Sequence, residues 1–435
     1  MRLVLALFLI VAPVATSATT SAVRFVGTGS VTLSGDAPDL GLTGLPSGTT
    51  VTVTAHRASY DNTVLKSHAD FVADRRGRVE MRRAAPVAGS YTGVDPAGLF
   101  WSMTKAGPVS DLPRDIVALQ ALVGGKLVAD ARLNLPRGRS DLVTTSVTSQ
   151  PGAFVVAPPA DGKRHGAVIV LGGSEGGDST ARDLGVRLAS RGFVVLGFPY
   201  YSPGYGGPGI AGLPTAFADI PVDRLQAARD MLAARADVDP ARIGVVGVSK
   251  GAEFALLAAS RFDWLRAVVA IVPSDVVWEG WGKPLPAATL SSFAWDGKPL
   301  PFVPYDDIAS EFAKAAQGKP MALRGPHVRG KVVNPASLSA ARIPIERYKG
   351  ALLLAGGGDD QVWPSFEMAA AVAATPRQGR TVLLNYPLAG HLLSGDGYAS
   401  TAWTQGVGGT PAANAAAQLD LWPKTIAFLK RELGN

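Results

Sequence analysis

Cysteine is absent from all 435 residues. No disulfide can staple this chain, no thiolate can be its nucleophile, and no cysteine-based metal site can form. An N-terminal lipid anchor built on cysteine is excluded as well. Histidine is scarce, with only His56, His68, His165, His327 and His391. No His-x-His pair, His-Glu-x-x-His motif or carboxylate cluster accompanies them, so the sequence implies neither a metal nor another cofactor. Charge is thin too, at 18% of residues. The net charge of +7 contains no Lys/Arg run longer than two, which describes a solvated surface rather than a nucleic-acid footprint. Apolar runs long enough to span a bilayer, roughly 20 residues, are missing, so no stable membrane span is expected.

What is present is a globular composition, 47% hydrophobic, on a chain long enough for two domains. Met1-Arg2, an apolar run from Leu3 to Val14 and then Ala15-Thr16-Ser17-Ala18 have the order of a secretory signal peptide. Cleavage after Ala18 or Ala22 would make residues 1–22 a leader and send the mature chain out of the cytoplasm.

Two rhythms follow. Over residues 23–150 short alternating or β-branched runs stand between turns. Examples are Ser30-Val31-Thr32-Leu33, Thr50–Ala55 and Arg78–Met81, punctuated by Gly35-Asp36, Pro46-Ser47-Gly48 and Arg75-Arg76-Gly77. No helical stretch interrupts them, and an all-β, immunoglobulin-like antiparallel sandwich is the expected architecture. Over residues 151–435 continuous apolar runs alternate with helical stretches. Strands are expected at 165–171, 193–198, 243–248, 267–272, 351–355 and 381–385, and helices near 180–191, 222–236 and 251–261. That alternation predicts an α/β domain with a mostly parallel sheet buried on both faces. A Pro-, Gly- and aromatic-rich stretch from about 279 to 344 breaks the pattern and reads as a cap-like insertion over the ligand-binding edge of the sheet.

Gly247-Val248-Ser249-Lys250-Gly251 matches the Gly-x-Ser-x-Gly nucleophile elbow, and it lies where a strand ends and a helix begins. Ser249 is the candidate nucleophile. A hydroxyl needs a base, and in the hydrolase order Ser, Asp, His that base follows the serine. Of the histidines only His391 follows a late strand, in Tyr386-Pro387-Leu388-Ala389-Gly390-His391, whereas His327 falls in the cap. The acid lies in Gly356-Gly357-Gly358-Asp359-Asp360. Its spacing from Gly357 and from Pro364 selects Asp360, with Asp359 the alternative. Two backbone donors are expected to hold the oxyanion: Lys250, next to the nucleophile, and Ser174, in the loop Gly172-Gly173-Ser174-Glu175-Gly176-Gly177. That loop lacks the spacing of a phosphate cradle.

In both halves the chain resembles the acyl-CoA thioesterase and bile acid-CoA:amino acid N-acyltransferase family. In the first half the resemblance rests on Gly44–Gly48, Ala69–Asp74 and Gly89–Trp101. In the second it rests on the Gly-Gly-Ser-Glu-Gly-Gly loop, Pro199-Tyr200-Tyr201, Ser249–Glu253, Ile343–Arg347 and Ala389-Gly390-His391. It implies a β-sandwich ahead of an α/β-hydrolase domain. It also implies that serine, in place of the cysteine of the acyltransferases, marks the hydrolytic branch, which cleaves acyl-CoA or related thioesters through an acyl-serine. Export would separate the chain from cytoplasmic acyl-CoA, which leaves an oxygen ester as the alternative small-molecule substrate. A catalytically inert exported binding protein and an amino acid N-acyltransferase are the remaining alternatives.

Overall fold

The computed structural model describes residues 22–29, 32–59, 61–204, 209–282, 290–402 and 406–434. The expected leader, up to residue 21, lies outside them, as do Ser30 and Val31 of the first expected strand. Thr32 and Leu33 are not in a strand, although the Thr32 N–H donates to the Asn134 carbonyl.

The N-terminal region is antiparallel β-structure. A small sheet joins Arg24–Val26, Gly41–Thr43 and Val79–Glu80. A six-stranded sheet is built around Thr50–Ala58, Val64–Val72, Ile116–Val123 and Lys126–Asn134. Their inner faces share one core, because alternate side chains of a strand point the same way: Val51, Val53 and Ala55 meet Ala69, Phe71, Val117 and Leu119, with Leu42 and Val79 from the small sheet. One helical turn, Gly98–Trp101, interrupts the strands, which the alternating pattern did not predict.

The second region is an eight-stranded sheet. Its order is Val143–Ser146, Phe154–Ala157, Val194–Gly197, His165–Leu171, Val238–Val248, Ala267–Ile271, Ala351–Gly357 and Thr381–Tyr386. The first two pairings are antiparallel and the other five parallel. Its first strand lies ahead of the change in rhythm at residue 150. Within His165–Leu171, Ala167, Ile169 and Leu171 pack into one core, while Val168 and Val170 pack into another on the opposite face. The unbroken apolar run is thus the signature of a strand covered on both sides. Ser179–Ala189, Leu225–Ala233, Lys250–Ala259 and Ser365–Ala374 are among the covering helices.

The C-terminal helix Pro411–Leu433 covers the Val168/Val170 face through Leu421, Phe428, Leu429 and Leu433. Its N-terminus is capped by Thr410, whose hydroxyl oxygen accepts from the Ala413 N–H at 3.1 Å. The insertion contributes Phe293–Trp295, which pairs with Ile220–Pro221, and the helices Ile308–Ala316, Arg324–Val333 and Pro335–Ala341. No helix among the described residues is long and apolar enough to cross a membrane.

Candidate active site

Ser249 occupies the junction of Val238–Val248 and Lys250–Ala259 with φ 55° and ψ −120°. A non-glycine residue there is strained by about 1–3 kcal/mol, so the surrounding packing must impose the turn. Glycines make that packing possible. A Cβ on Gly247 would lie 2.2 Å from the Gly251 carbonyl oxygen, and one on Gly251 would lie 2.3 Å from the oxygens of Leu171 and Gly172. The elbow and the neighbouring strand end therefore approach backbone to backbone, which presents the hydroxyl beside the Gly172–Gly177 loop.

The Ser249 Oγ lies 2.9 Å from His391 Nε2, and His391 Nδ1 lies 2.8 Å from Asp360 Oδ2. A carboxylate only accepts, so Nδ1 carries the proton and Nε2 is left to accept from the serine hydroxyl. Asp360 is fully buried, and its other contacts fix its orientation. The N–H groups of Val362 and Trp363 donate to Oδ1 at 2.9 and 3.2 Å, and the Ser365 hydroxyl donates to Oδ2 at 2.5 Å. Asp359 points elsewhere: its carboxylate is exposed and accepts from the Gly409 N–H and the Gln361 amide. Of the two adjacent aspartates, Asp360 is the one brought to the histidine.

Lys250 opens its helix, where a backbone N–H has no intrahelical acceptor. Ser174 lines the same cavity as Ser249 and Lys250. Its loop is closed by Glu175, which accepts from the Gly173 N–H at 3.0 Å and the Thr180 hydroxyl at 2.6 Å. The cavity encloses about 350 Å³ and runs from Ser249 under the cap, between Trp281, Tyr305, Phe312, Leu323, His327 and Trp363. A larger hollow of about 730 Å³ lies over the small sheet, beside Arg24, Arg78 and Arg83, and none of Ser249, Asp360 and His391 lines it. Among the described residues no group of three His, Cys, Asp or Glu is gathered as metal ligands would be.

Known proteins carry the same arrangement of halves. The family described as the acyl-CoA thioester hydrolase/BAAT N-terminal region matches residues 38–122, and the BAAT/acyl-CoA thioester hydrolase C-terminal family matches residues 220–435. The chain belongs to the acyl-CoA thioester hydrolase/BAAT family. Mouse mitochondrial acyl-coenzyme A thioesterase 2 is 26% identical over 399 residues, 86% of this chain and 81% of the relative. Mouse acyl-coenzyme A thioesterase 6 is 28% identical over 397 residues, 86% and 87% of the two chains. A PET hydrolase-like family also matches residues 120–283. Among solved structures, a hypothetical protein from Pseudomonas aeruginosa aligns with a TM-score of 0.40 at 19% identity, over 68% of this chain and 95% of that one.

In this member of the family several groups around the site carry no recognisable sequence motif. The Lys250 ammonium is buried, 2.6 Å from Glu253 and 2.9 Å from the Ser292 hydroxyl. Phe217 and Phe293 present their rings at 5.0 Å and Trp281 at 5.8 Å. Burial pulls the Lys250 pKa down and pushes that of Glu253 up, against their mutual attraction. Glu253 also accepts from the Trp278 N–H at 3.2 Å. The first turn of the elbow helix is thereby fastened to the cap. The available signal was two opposite charges three residues apart in an otherwise apolar helix. Ser365 gave none, since only the fold brings it to Asp360.

Proposed function

We propose that this chain is a serine hydrolase that cleaves acyl thioesters through an acyl-enzyme on Ser249. One observation carries the reading: an unbroken hydrogen-bonded line from Ser249, on the wall of an apolar cavity, through His391 to the buried Asp360. Ser249 Oγ attacks the thioester carbonyl while His391 Nε2 takes its proton. The N–H groups of Lys250 and Ser174 receive the oxyanion. Collapse breaks the C–S bond, and the imidazolium returns its proton to the leaving thiolate. Water then attacks the acyl-serine with Nε2 as base, which releases the carboxylic acid and restores Ser249. Asp360 keeps Nδ1 protonated and offsets the charge of the imidazolium without taking the proton. The relatives named as acyl-coenzyme A thioesterases support the thioester as substrate.

The deciding experiment follows thiol release from palmitoyl-CoA beside hydrolysis of p-nitrophenyl esters, for the wild type and Ser249→Ala. Thioester turnover that drops on the order of a millionfold in the variant supports the reading. Cleavage of oxygen esters alone would make the chain a carboxylesterase, the reading that the apolar run Leu3–Val14 favours. That run supports export of the mature chain as a further proposal. Fractionation of the native host should recover a shortened chain outside the cytoplasm, and a full-length cytoplasmic chain would overturn it.

A further inference from the structure

The chemistry at Ser249 uses only part of the cavity lining. The rest of the lining is mostly apolar, with Ile308, Phe312, Met321, Leu323 and Val362, and one imidazole is set among them. His327 is 4% exposed and stands on the helix Arg324–Val333. Trp278, Tyr305 and Trp363 pack against it nearly perpendicular, with ring centroids at 4.6, 4.9 and 5.6 Å. Such a nest would accept a phenylalanine, so the nitrogen atoms need a reason of their own.

His327 Nδ1 lies 2.8 Å from the Leu323 carbonyl oxygen, one turn back on the chain. A carbonyl only accepts, so Nδ1 carries a proton. In a neutral ring Nε2 then holds a lone pair and needs a donor. The ring is neutral, because burial pushes its pKa down to about 3. Neither adjacent indole can serve. Trp278 Nε1 donates to Ser274 Oγ at 2.9 Å, and Trp363 Nε1 donates to the Val272 carbonyl at 3.2 Å. Among the described residues no donor meets Nε2. An imidazole nitrogen that is left to accept, on a residue lining a cavity and with no donor among the described residues, is a place for a donor on the substrate.

We propose that His327 is a specificity-determining residue, and that the substrates of this site are acyl chains carrying a hydroxyl group that donates to Nε2. This deepens the reading of Ser249 as acyl acceptor and rests on it. Trp363 packs against both histidines, 5.8 Å from the ring of His391 and 5.6 Å from that of His327, which ties both rings to one residue of the cavity wall. A carboxylate in place of the hydroxyl would meet the lone pair with another acceptor. An ammonium would bring a charge into an apolar wall.

The test is a set of acyl thioesters of one chain length that carry no hydroxyl or a single hydroxyl moved carbon by carbon along the chain. With the wild type, one position should raise kcat/KM about tenfold over the plain chain, the scale of one well-placed hydrogen bond in an apolar site. In His327→Phe, and in His327→Leu should the first variant not fold, the ratio of hydroxylated to plain substrate should fall to one. The inference is overturned if the wild type cleaves the plain chain and prefers no hydroxyl position, or if the preference survives in the variants. If no acyl compound is cleaved and a fluorophosphonate leaves Ser249 unlabelled, the reading of the site itself fails and this inference with it.

Discussion

Two adjacent aspartates, Asp359 and Asp360, differ in what surrounds them more than in position. Asp360 is buried beneath His391, held by two backbone N–H groups and the Ser365 hydroxyl, whereas Asp359 is exposed. Asp360→Asn would present an amide that can donate to Nδ1, which forces the proton to Nε2 and removes the base. We expect kcat on a p-nitrophenyl ester to fall by roughly 10⁴-fold, while Asp359→Asn stays within about threefold. Equal losses in both would move the acid assignment. His327 gives a pH prediction whose sign follows from its depressed pKa. Once unfolded it takes a proton below its ordinary value of 6.5, but folded it does so only near 3. Between those values the unfolded state binds more protons. The stability contributed by the neutral buried ring is present above pH 6.5 and is lost as pH falls through that window. The slope from this residue is about 1.4 kcal/mol per pH unit. Urea unfolding at pH 7 and pH 5 should show wild type losing more stability than His327→Phe by an amount on the order of 2 kcal/mol. Parallel losses in the two proteins would mean that the ring is not buried neutral.

The elbow is the element on which the site depends, and its glycines can be tested directly. In Gly247→Ala the new methyl would sit 2.2 Å from the Gly251 oxygen, so the strand and helix could not meet at that angle. Fluorophosphonate labelling of Ser249 should be lost even where circular dichroism shows a folded chain. Labelling at the wild-type rate would mean that the turn is not held this tightly. The elbow was legible in the sequence because local geometry demands glycine at both positions. Apolar runs such as Ala167–Leu171 were legible because burial on both faces needs every residue apolar. Legibility ends where long-range contact decides. The helix Pro411–Leu433 carries Pro423 in its interior, normally a helix breaker, and only its packing on the sheet reveals it. Val143–Ser146 joins the large sheet although all four residues are exposed, so its sequence has no apolar face to read. The Lys250–Glu253 pair shows in the sequence as two charges but not as a buried contact, because Phe217, Trp278 and Phe293 arrive from elsewhere in the chain.

At the scale of the molecule, the β-structured N-terminal region and the α/β region are joined through the segment that follows His391. Asp396, five residues on, is 1% exposed and accepts from the Ser34 hydroxyl at 2.5 Å while pairing with the buried Arg187. Tyr398 packs its ring 5.3 Å from Phe100, and its carbonyl accepts from Arg57 at 3.3 Å. Ser34, Arg57 and Phe100 belong to the N-terminal region, and Arg187 belongs to the helix Ser179–Ala189. On the other side, Gln418 of the C-terminal helix donates to the Leu392 carbonyl at 2.6 Å and accepts from the Gly397 N–H at 3.1 Å. The histidine-bearing loop is thus gripped between the two regions, and neither can unfold without baring part of this joint. Both should therefore lose protection together. Hydrogen exchange of Thr50–Ala58 and of Ala267–Ile271 should collapse at one urea concentration, alongside fluorophosphonate labelling of Ser249. Asp396→Ala leaves Arg187 buried with Asp183 as its remaining partner. That change should cost roughly 3 kcal/mol and separate the two exchange transitions. Two separate transitions already present in the wild type would show that the joint does not couple the regions, and that the sandwich acts on the histidine loop only through local contact.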